Sequence, residues 1–438
     1  MASEWGKIPL GDLVALQRGH DLPSQDRRKG EIPIMGSSGL TGYHDEAKCK
    51  GPGIVIGRSG NSMGVVSYSD SDFWPLNTAL YVTDFKGNDE RYIYYLLSQI
   101  DFDQFNSGSA QKSLNRNAVY PFLVWATKNK DEQKKIGVAL ERYENKIHLN
   151  RQTNQTLEQM AQALFKSWFV DFDPVIDNAL AAGKPIPDAL QARAQRRQQQ
   201  LAKPDHKPLP EAIRQHFPCE FEQTEALGWV PKGWGINSLA EITTELRRGI
   251  SPKYTEEEGT VVLNQKCIRN HEVNFELSRR NDPSLRKTIG RELKIGDMLI
   301  NSTGVGTLGR MAQVKYLPET TVVDSHVTVV RPREDVYPIF AFGQMMLSLE
   351  SYVESLGEGS TGQTELSRKI LSEQKILVPG KEALAVIDKK LEHFSYKAVS
   401  LSKESQVLAR LRDTLLPKLI SGELRIPDLE TEVSDAVA

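Results

Sequence analysis

Two copies of one pattern occur in this sequence of 438 residues, and this repeat constrains the fold more than any other feature. Each copy has a Trp-Gly pair, then an Arg-Gly pair, then an apolar strand that leads into a loop of small residues. In the first copy these are Trp5-Gly6, Arg18-Gly19 and 53–64. In the second copy they are Trp234-Gly235, Arg248-Gly249 and 296–309. The offset grows from about 229 to about 251 residues along the chain, so the second copy has roughly 22 extra residues, which we expect in surface loops. The repeat predicts two related globular domains.

Each copy ends in a long amphipathic pattern, at 131–169 and at 381–420. Apolar residues recur there at steps of three and four, which predicts helices about 58 Å long. Such a helix cannot bury its apolar stripe alone, so we expect a pair of helices separating the two domains; the alternative is that each helix packs only on its own domain. The polar residues Asn150, Asn154, Ser405 and Arg412 interrupt the stripes and would fix the register of the pair.

Between the copies, residues 173–232 contain eight prolines and a glutamine-rich run, which indicates a connector with short helices. The acidic segment 423–438 is interpreted as a frayed tail.

Composition excludes several classes of protein. The chain has no apolar run of about 18 residues and no basic-then-apolar start, so we expect a cytoplasmic protein without a membrane partner. Cys49, Cys219 and Cys267 are too far apart for a thiolate metal site and are odd in number for a disulfide framework, so no metal site is predicted. The formal net charge is −2, so any nucleic-acid surface must be local.

One glycine-rich loop has two interpretations. Residues 304–309 match the G-x-G-x-x-G pattern of a dinucleotide or adenosylmethionine site, with Asp324 downstream. Such a site needs a helix directly after the loop. Residues 310–323 alternate polar and apolar side chains and contain Pro318, so we expect a strand-turn-strand loop instead.

Both copies have loops rich in hydrogen-bond donors and basic residues. Residues 47–64 and 105–116 contain lysine, arginine or glutamine and no acid, and residues 247–291 hold ten basic residues against six acidic ones. Lysine and arginine neutralise phosphates, while arginine and glutamine can each make two hydrogen bonds to a base edge. These loops are therefore candidates for DNA contacts, although each residue could equally belong to a solvated turn.

In order and spacing, five segments resemble the specificity subunit of a type I restriction-modification system: 227–234, 36–39 with 53–64, 108–115, 164–174 and 415–424. The resemblance implies an α+β fold in which two related α/β target-recognition domains are joined by two long antiparallel coiled-coil helices with pseudo-two-fold symmetry. The implied division is 1–129 and 231–380 for the domains, 130–172 and 381–422 for the helices, 173–230 for the connector and 423–438 for the tail. The segment 171–174 has no counterpart after the second helix, so the symmetry is partial.

The resemblance also implies the function. Each domain would read one half of a bipartite DNA target, and the helices would act as a ruler. The expected partners are double-stranded DNA, two modification subunits that bind adenosylmethionine and methylate adenine, and two restriction subunits that use ATP and Mg. No cofactor and no catalytic residue is expected in this chain. The alternatives are a methyltransferase or nuclease in its own right, or a protein-binding scaffold.

Two sets of candidate residues follow. The expected DNA contacts are Arg18, Ser38, Lys48, Arg58, Ser59, Asn61, Gln111, Lys112, Asn115, Arg116, Arg248, Lys253, Arg269, Arg279, Asn301, Thr303, Arg310, Gln363 and Thr364. The expected partner-binding helix residues are Leu140, Ile147, Leu157, Leu164, Leu391, Leu401, Leu408 and Leu415.

Overall fold

The computed structural model describes residues 5–108, 111–304, 306–358 and 364–426, and the chain divides into two compact units. Unit 1 comprises Met1–Asn150 with Lys403–Ala438, and unit 2 comprises Arg151–Ser402. Both contain helices and strands, so the expected mixed α and β structure is confirmed. Among the described residues, no helix is both long and apolar enough to span a bilayer.

Unit 1 is built mainly from short strands. They are β1 (Trp5–Pro9), β2 (Ala15–Arg18), β3 (Ile32–Gly36), β4 (Gly39–His44), β5 (Gly53–Gly57), β6 (Val66–Ser69), β7 (Trp74–Pro75), β8 (Ala79–Asp84) and β9 (Leu123–Thr127). The helices are α1 (Leu10–Leu13), α2 (Glu90–Ser98), α3 (Arg116–Val119) and the start of α4 (Lys130–Phe169). The main sheet has the order β2-β8-β5-β6, a second sheet has the order β4-β3-β7, and β1 pairs with β9.

Unit 2 begins with the rest of α4 and with the connector helices α5 (Asp173–Ala181), α6 (Gln191–Leu201) and α7 (Glu211–Arg214). Its strands are β10 (Phe221–Thr224), β11 (Gly228–Pro231), β12 (Gly235–Ser238), β13 (Thr243–Arg248), β14 (Tyr254–Thr255), β15 (Thr260–Leu263), β16 (Ile268–Arg269), β17 (Glu272–Val273), β18 (Arg279–Asn281), β19 (Met298–Asn301), β20 (Met311–Gln313), β21 (Thr321–Val323), β22 (Val327–Pro332), β23 (Gly357–Glu358), β24 (Glu365–Leu366) and β25 (Lys375–Val378). The remaining helices are α8 (Ile339–Ser348), α9 (Glu350–Ser355), α10 (Arg368–Ser372) and α11 (Lys381–Ser421).

The two units share one topology, as the repeat predicts. The order β13-β22-β19-β20 in unit 2 matches β2-β8-β5-β6 in unit 1, and β12 pairs with β25 as β1 pairs with β9. A parallel pair joins β3 to β7 and, equivalently, β15 to β21. Much of the extra length of the second copy lies between β15 and β19, where it forms the hairpin β16-β17, strand β18 and a following loop.

Steric crowding explains why each Arg-Gly pair has a glycine at its second position. A Cβ atom at Gly19 would lie 2.2 Å from the carbonyl oxygen of Leu76, and one at Gly249 would lie 2.1 Å from those of Val323 and Asp324. In each unit the backbone of a neighbouring segment passes directly over the glycine, so any side chain would collide with it.

The long helices α4 and α11 pair with each other inside both units. In unit 1, Asn150 Nδ2 donates to Glu404 Oε2 at 2.9 Å, and Arg412 Nη1 lies 3.6 Å from Glu144 Oε1. In unit 2, Asn154 Nδ2 donates to Ser402 Oγ at 2.9 Å. The partner residue numbers fall as the α4 numbers rise, so the pairing is antiparallel. These contacts contradict the alternative in which each helix packs only on its own domain.

The ends of the two helices complete the cores of the two units. Leu416, Leu419 and Ile420 of α11 are buried among the apolar residues of unit 1, together with Trp5. At the end of α4, Phe169 lies 5.7 Å from the ring of Trp234, and Trp168 lies 5.3 Å from that of Phe217, inside unit 2. The connector therefore contributes Phe217 to a packed aromatic cluster.

Four of the expected partner-binding residues are wrong. Leu140, Ile147, Leu391 and Leu401 are buried in this chain's own packing, so their side chains cannot contact another subunit. Leu157, Leu164, Leu408 and Leu415 are partly buried, and Leu164 and Leu415 pack against the cores. The apolar stripes serve the helix pair itself, because burying them is what stabilises two long helices in water.

Candidate nucleic-acid interface

At one end of the main sheet of unit 1, three loops converge on the backbone of Asn77 and Thr78. Arg18 Nε donates to the carbonyl oxygen of Asn77 at 3.3 Å. The Ser37 hydroxyl and the backbone N–H of Arg58 both donate to the carbonyl oxygen of Thr78, each at 2.9 Å. These bonds gather the ends of β2, β3 and β5 at one place.

A fourth segment closes this cluster. The backbone N–H of Leu114 donates to the carbonyl oxygen of Arg58 at 2.8 Å, and that of Gly60 donates to Lys112 at 3.0 Å. The side-chain amide of Gln111 lies over Gly60, because a Cβ atom there would be 3.5 Å from Gln111 Nε2. The backbone therefore holds the loops, which leaves the Arg58 and Gln111 side chains without a hydrogen bond among the residues the structure describes.

Unit 2 repeats this arrangement with different side chains. The backbone N–H of Leu366 donates to Ser302 at 2.9 Å, that of Ser302 donates to His326 at 2.9 Å, and Arg248 Nη1 lies 3.5 Å from the carbonyl oxygen of Ser325. Ser302 therefore takes the place of Arg58. Arg248 takes that of Arg18.

In the unit 2 cluster, more of the side chains form hydrogen bonds with one another than in the unit 1 cluster. Arg248 Nη2 donates to Glu365 Oε1 at 2.7 Å, and burial lowers the pKa of Arg248 while Glu365 opposes that effect. Gln265 Nε2 donates to Thr303 Oγ1 at 2.7 Å, and the same hydroxyl lies 2.9 Å from His326 Nδ1. Arg248 and Thr303 are thus held in place by neighbours.

Asp324, the residue considered for a ribose, has a structural role. It is buried, and its Oδ1 accepts a hydrogen bond from the backbone N–H of His326 at 2.9 Å. Burial raises the pKa of its carboxyl group, which the bond from His326 partly offsets. The loop after β19 leads into β20, which pairs antiparallel with β19, so the strand-turn-strand interpretation agrees with the structure.

The sequence-predicted residues of unit 1 fall into two groups. Arg18, Ser38, Lys48, Asn61, Gln111, Lys112, Asn115 and Arg116 are exposed, and Arg58 and Ser59 are partly exposed. Besides Arg18, three of these form contacts within the chain: Lys112 Nζ lies 2.5 Å from Asp103, Arg116 Nη1 donates to the carbonyl oxygen of Leu16 at 3.0 Å, and Asn115 caps α3. Lys48 Nζ lies 5.5 Å from the centroid of the Trp74 ring.

In unit 2 one expected DNA contact is wrong. Asn301 is 0% exposed, and its Nδ2 donates to the carbonyl oxygen of Gln265 at 3.2 Å, so it belongs to the core. Lys253, Arg269 and Arg279 are exposed, and Arg279 stacks 3.5 Å from the centroid of the Tyr254 ring.

The remaining predicted residues lie in the loops around β19 and β24. Arg310 is partly exposed and donates to the carbonyl oxygen of Gly306 at 2.7 Å. Thr364 is also partly exposed. Gln363 lies outside the described residues.

Sequence reasoning missed the segments that organise both clusters, Asn77–Thr78 and Ser325–His326. The two segments have different residue types, and both act through backbone carbonyl oxygens, which every residue type has. The available signal was positional, since each segment lies directly before the last strand of its sheet, β8 or β22.

Comparison with known proteins gives consistent similarities. Residues 2–159 match the family described as the type I restriction modification DNA specificity domain. The type I restriction enzyme HindI specificity subunit of Haemophilus influenzae is 28% identical over 315 residues, covering 68% of each chain. The MjaIX specificity subunit of Methanocaldococcus jannaschii is 21% identical over 359 residues, covering 77% of this chain and 70% of the relative.

One solved structure has a similar fold. The crystal structure of a type I restriction-modification S subunit from M. genitalium has a TM-score of 0.57 at 16% identity, covering 95% of this chain and 96% of that one. At this level of identity the likeness concerns the fold.

Proposed function

We propose that this chain is a specificity subunit of a type I restriction-modification system, as its similarities suggest, and that it reads a bipartite DNA target with its two loop clusters. The observation that carries the proposal is the recurrence of one backbone arrangement in both units, around Thr78 and around His326, with different side chains on it. A shared scaffold with different side chains is what two readers of different half-sites require.

The chemistry of the clusters supports contact with DNA. Arg58 and Gln111 offer the two-donor or donor–acceptor geometry that pairs with guanine and adenine edges. Exposed Arg18, Lys253 and Arg269 can neutralise phosphates. Because backbone bonds hold the loops, little backbone entropy would be lost when the loops bind DNA.

The long helices would set the spacing between the half-sites. α4 has 40 residues and α11 has 41, which corresponds to roughly 60 Å of helix each. Their antiparallel contacts stiffen both helices, and half-sites one helical turn of DNA apart are separated by about 34 Å. In this proposal the pair acts as the ruler of the bipartite target.

Partner subunits would perform the chemistry and would bind exposed apolar positions on these helices. The positions available are Leu149, Val407 and Leu411 in unit 1 and Met160 and Tyr396 in unit 2, all exposed. They replace the buried leucines as the proposed contacts. We propose two modification subunits carrying adenosylmethionine and two restriction subunits using ATP and Mg, with no cofactor on this chain.

The proposal is tested by mapping methylated adenines in host DNA with and without this chain. We expect one two-part motif that disappears when the chain is deleted and returns when it is restored. Methylation that persists unchanged, or that lacks a motif, would contradict the assignment.

A residue-level prediction follows for unit 1. Arg58→Ala and Gln111→Ala should each reduce discrimination at one half-site by roughly 5- to 150-fold, because a two-bond base contact contributes about 1–3 kcal/mol. Competition between duplexes substituted in either half-site measures this. Lys7→Ala, which removes an exposed cation from β1, a strand outside the main sheet, serves as the control and should leave sequence preference unchanged.

A further inference from the structure

The loop after β18, Asp282–Lys294, exposes two large apolar side chains. Leu285 is 70% exposed and Ile289 is 86% exposed, more than any other large apolar residue that the structure describes. This loop belongs to the extra length of the second copy. Two such side chains in one hydrogen-bonded loop are candidates for a binding role.

The loop is held by hydrogen bonds to residues around it. Asn281 is buried, and its Nδ2 donates to the carbonyl oxygen of Arg286 at 2.8 Å while its Oδ1 accepts from the backbone N–H of Lys253 at 2.9 Å. Arg247 Nη2 donates to the carbonyl oxygen of Arg291 at 3.0 Å. Both ends of the loop are therefore anchored to the sheets of unit 2.

A tight turn presents Ile289 at the tip. The backbone N–H of Arg291 donates to the carbonyl oxygen of Thr288 at 2.9 Å, and Gly290 has φ +75°. This is the pattern of a type II turn, with Ile289 at its first corner and glycine at the second, where positive φ is required. Thr288 is buried, so the turn anchors one neighbour and exposes the next.

The same loop carries four exposed cations. Arg286, Lys287, Arg291 and Lys294 are exposed, and none forms an ion pair within the described part of the chain. The loop contains two acids, Asp282 and Glu292. Lys253 and Arg279, two expected DNA contacts, lie alongside: the backbone N–H of Asp282 donates to the carbonyl oxygen of Lys253 at 2.8 Å.

An acidic surface region lies on the sheet that contains β18. Arg280 pairs with Glu319 at 2.9 Å, and the exposed run Glu256–Glu258 lies beside this pair. A DNA backbone would avoid that region and approach the cations of the loop instead.

We propose that Ile289, supported by Leu285, is an apolar wedge that inserts between two base pairs of the DNA read by unit 2. This inference rests on the proposed function. Proteins that kink DNA insert isoleucine or leucine between base steps and hold the flanking phosphates with basic residues. The loop supplies both components, and its cations favour DNA over a partner protein.

The wedge predicts local unstacking that can be measured. The chain is assembled with its modification subunits and bound to duplexes carrying 2-aminopurine at each position in turn, leaving out the methylated adenine. We expect fluorescence to rise at one step in the half-site of unit 2, and Ile289→Ala to abolish that rise and weaken binding about tenfold.

A weakened duplex provides the matched test. An abasic site at the same step removes most of the unstacking cost, so it should restore the affinity of the Ile289→Ala complex to within about twofold of wild type on that duplex. Leu227→Ala, which truncates an exposed leucine of the connector hairpin, should change neither readout.

Three results would contradict the wedge while leaving sequence reading intact: no fluorescent step with wild type, no rescue by the abasic duplex, or loss of subunit assembly in Ile289→Ala. The last would mean that the loop binds protein. Absence of any preference of the wild-type complex for its target over a scrambled duplex would instead contradict the proposed function.

Discussion

Asn154 is a polar residue in the seam between α4 and α11. Its Nδ2 donates to the Ser402 hydroxyl at 2.9 Å and lies 3.2 Å from the carbonyl oxygen of Ala398. We expect Asn154→Ala to lower the free energy of unfolding by about 1–2 kcal/mol, because partly buried hydrogen bonds are lost and not replaced. Denaturant unfolding followed by circular dichroism measures the change. Gln155→Ala, at an exposed neighbouring position, is the control, and equal effects of the two substitutions would show that the seam amide contributes no stability.

His271 links the β16-β17 hairpin to the rest of unit 2. Its Nε2 lies 2.8 Å from Glu350 Oε2, and its Nδ1 lies 3.2 Å from Gln162 of α4. The hydrogen bond to Glu350 raises the pKa of His271, although burial opposes the shift. Burial also opposes the shift at Glu350, but the bonds from His271 and from the Met311 N–H lower the pKa of its carboxyl group.

These two shifts predict a pH window. The contribution of His271 is complete below about pH 6.5 and is lost as pH rises through its raised pKa, and that of Glu350 is lost only as pH falls below about 4.5. His271→Gln should therefore cost most stability at about pH 5.5 and least at about pH 9. Unfolding curves at both values test this, with His148→Gln, a change at an exposed histidine of α4, as the control. An equal cost at both pH values would mean that the charged pair does not stabilise unit 2.

At the scale of the elements, the Arg-Gly turns yield a prediction shared by both units. Gly19→Ala and Gly249→Ala should each destabilise their own unit by more than about 3 kcal/mol, because the new methyl group would overlap backbone oxygens that cannot move independently of the parallel strand. Limited proteolysis and thermal unfolding would report the loss. Gly6→Ala adds a methyl group where nothing lies within 4 Å and should be tolerated. A tolerated Gly249→Ala would show that the close approach is not required.

The sequence predicts the features that depend on side chains better than the features that depend on backbone atoms. The apolar spacing places one long helix at 131–169, and α4 runs from Lys130 to Phe169, because side chains determine amphipathic burial. Asn301 resembles a loop donor in the sequence, yet it is buried, since its strand end is covered by Gln265. The equivalence of Arg58 and Ser302 rests on backbone hydrogen bonds and leaves no trace in residue type.

At the scale of the whole molecule, the proposal that the helix pair acts as a ruler predicts that the length of α4 and α11 determines the spacing between the two half-sites. Seven residues inserted between Asn150 and Arg151, with seven more between Ser402 and Lys403, add two turns to both helices, about 10.5 Å. A heptad keeps the seam in register. The recognised half-sites should then lie about three base pairs further apart, at about 3.4 Å per base pair, with each half unchanged. Methylation mapping measures the spacing, and a spacing that does not change would rule out the helices as the ruler.

An insertion in one helix alone is the matched control. It shifts one side of the seam past the other, so the bonds Asn150–Glu404 and Asn154–Ser402 cannot both be kept. We expect a less stable protein with no defined new spacing. A clean change of spacing from the single insertion would show that one helix suffices.

The burial of Leu416, Leu419 and Ile420 in unit 1 also has a consequence for biosynthesis. The ribosome makes the strands of that unit first and its closing helix last, with the whole of unit 2 in between. At about 5–20 residues per second, the roughly 270 intervening residues take about 15 to 50 s. During that interval the nascent N-terminal sheet exposes an apolar surface to solvent, so chaperone occupancy should fall only after the final turn of α11 has left the exit tunnel.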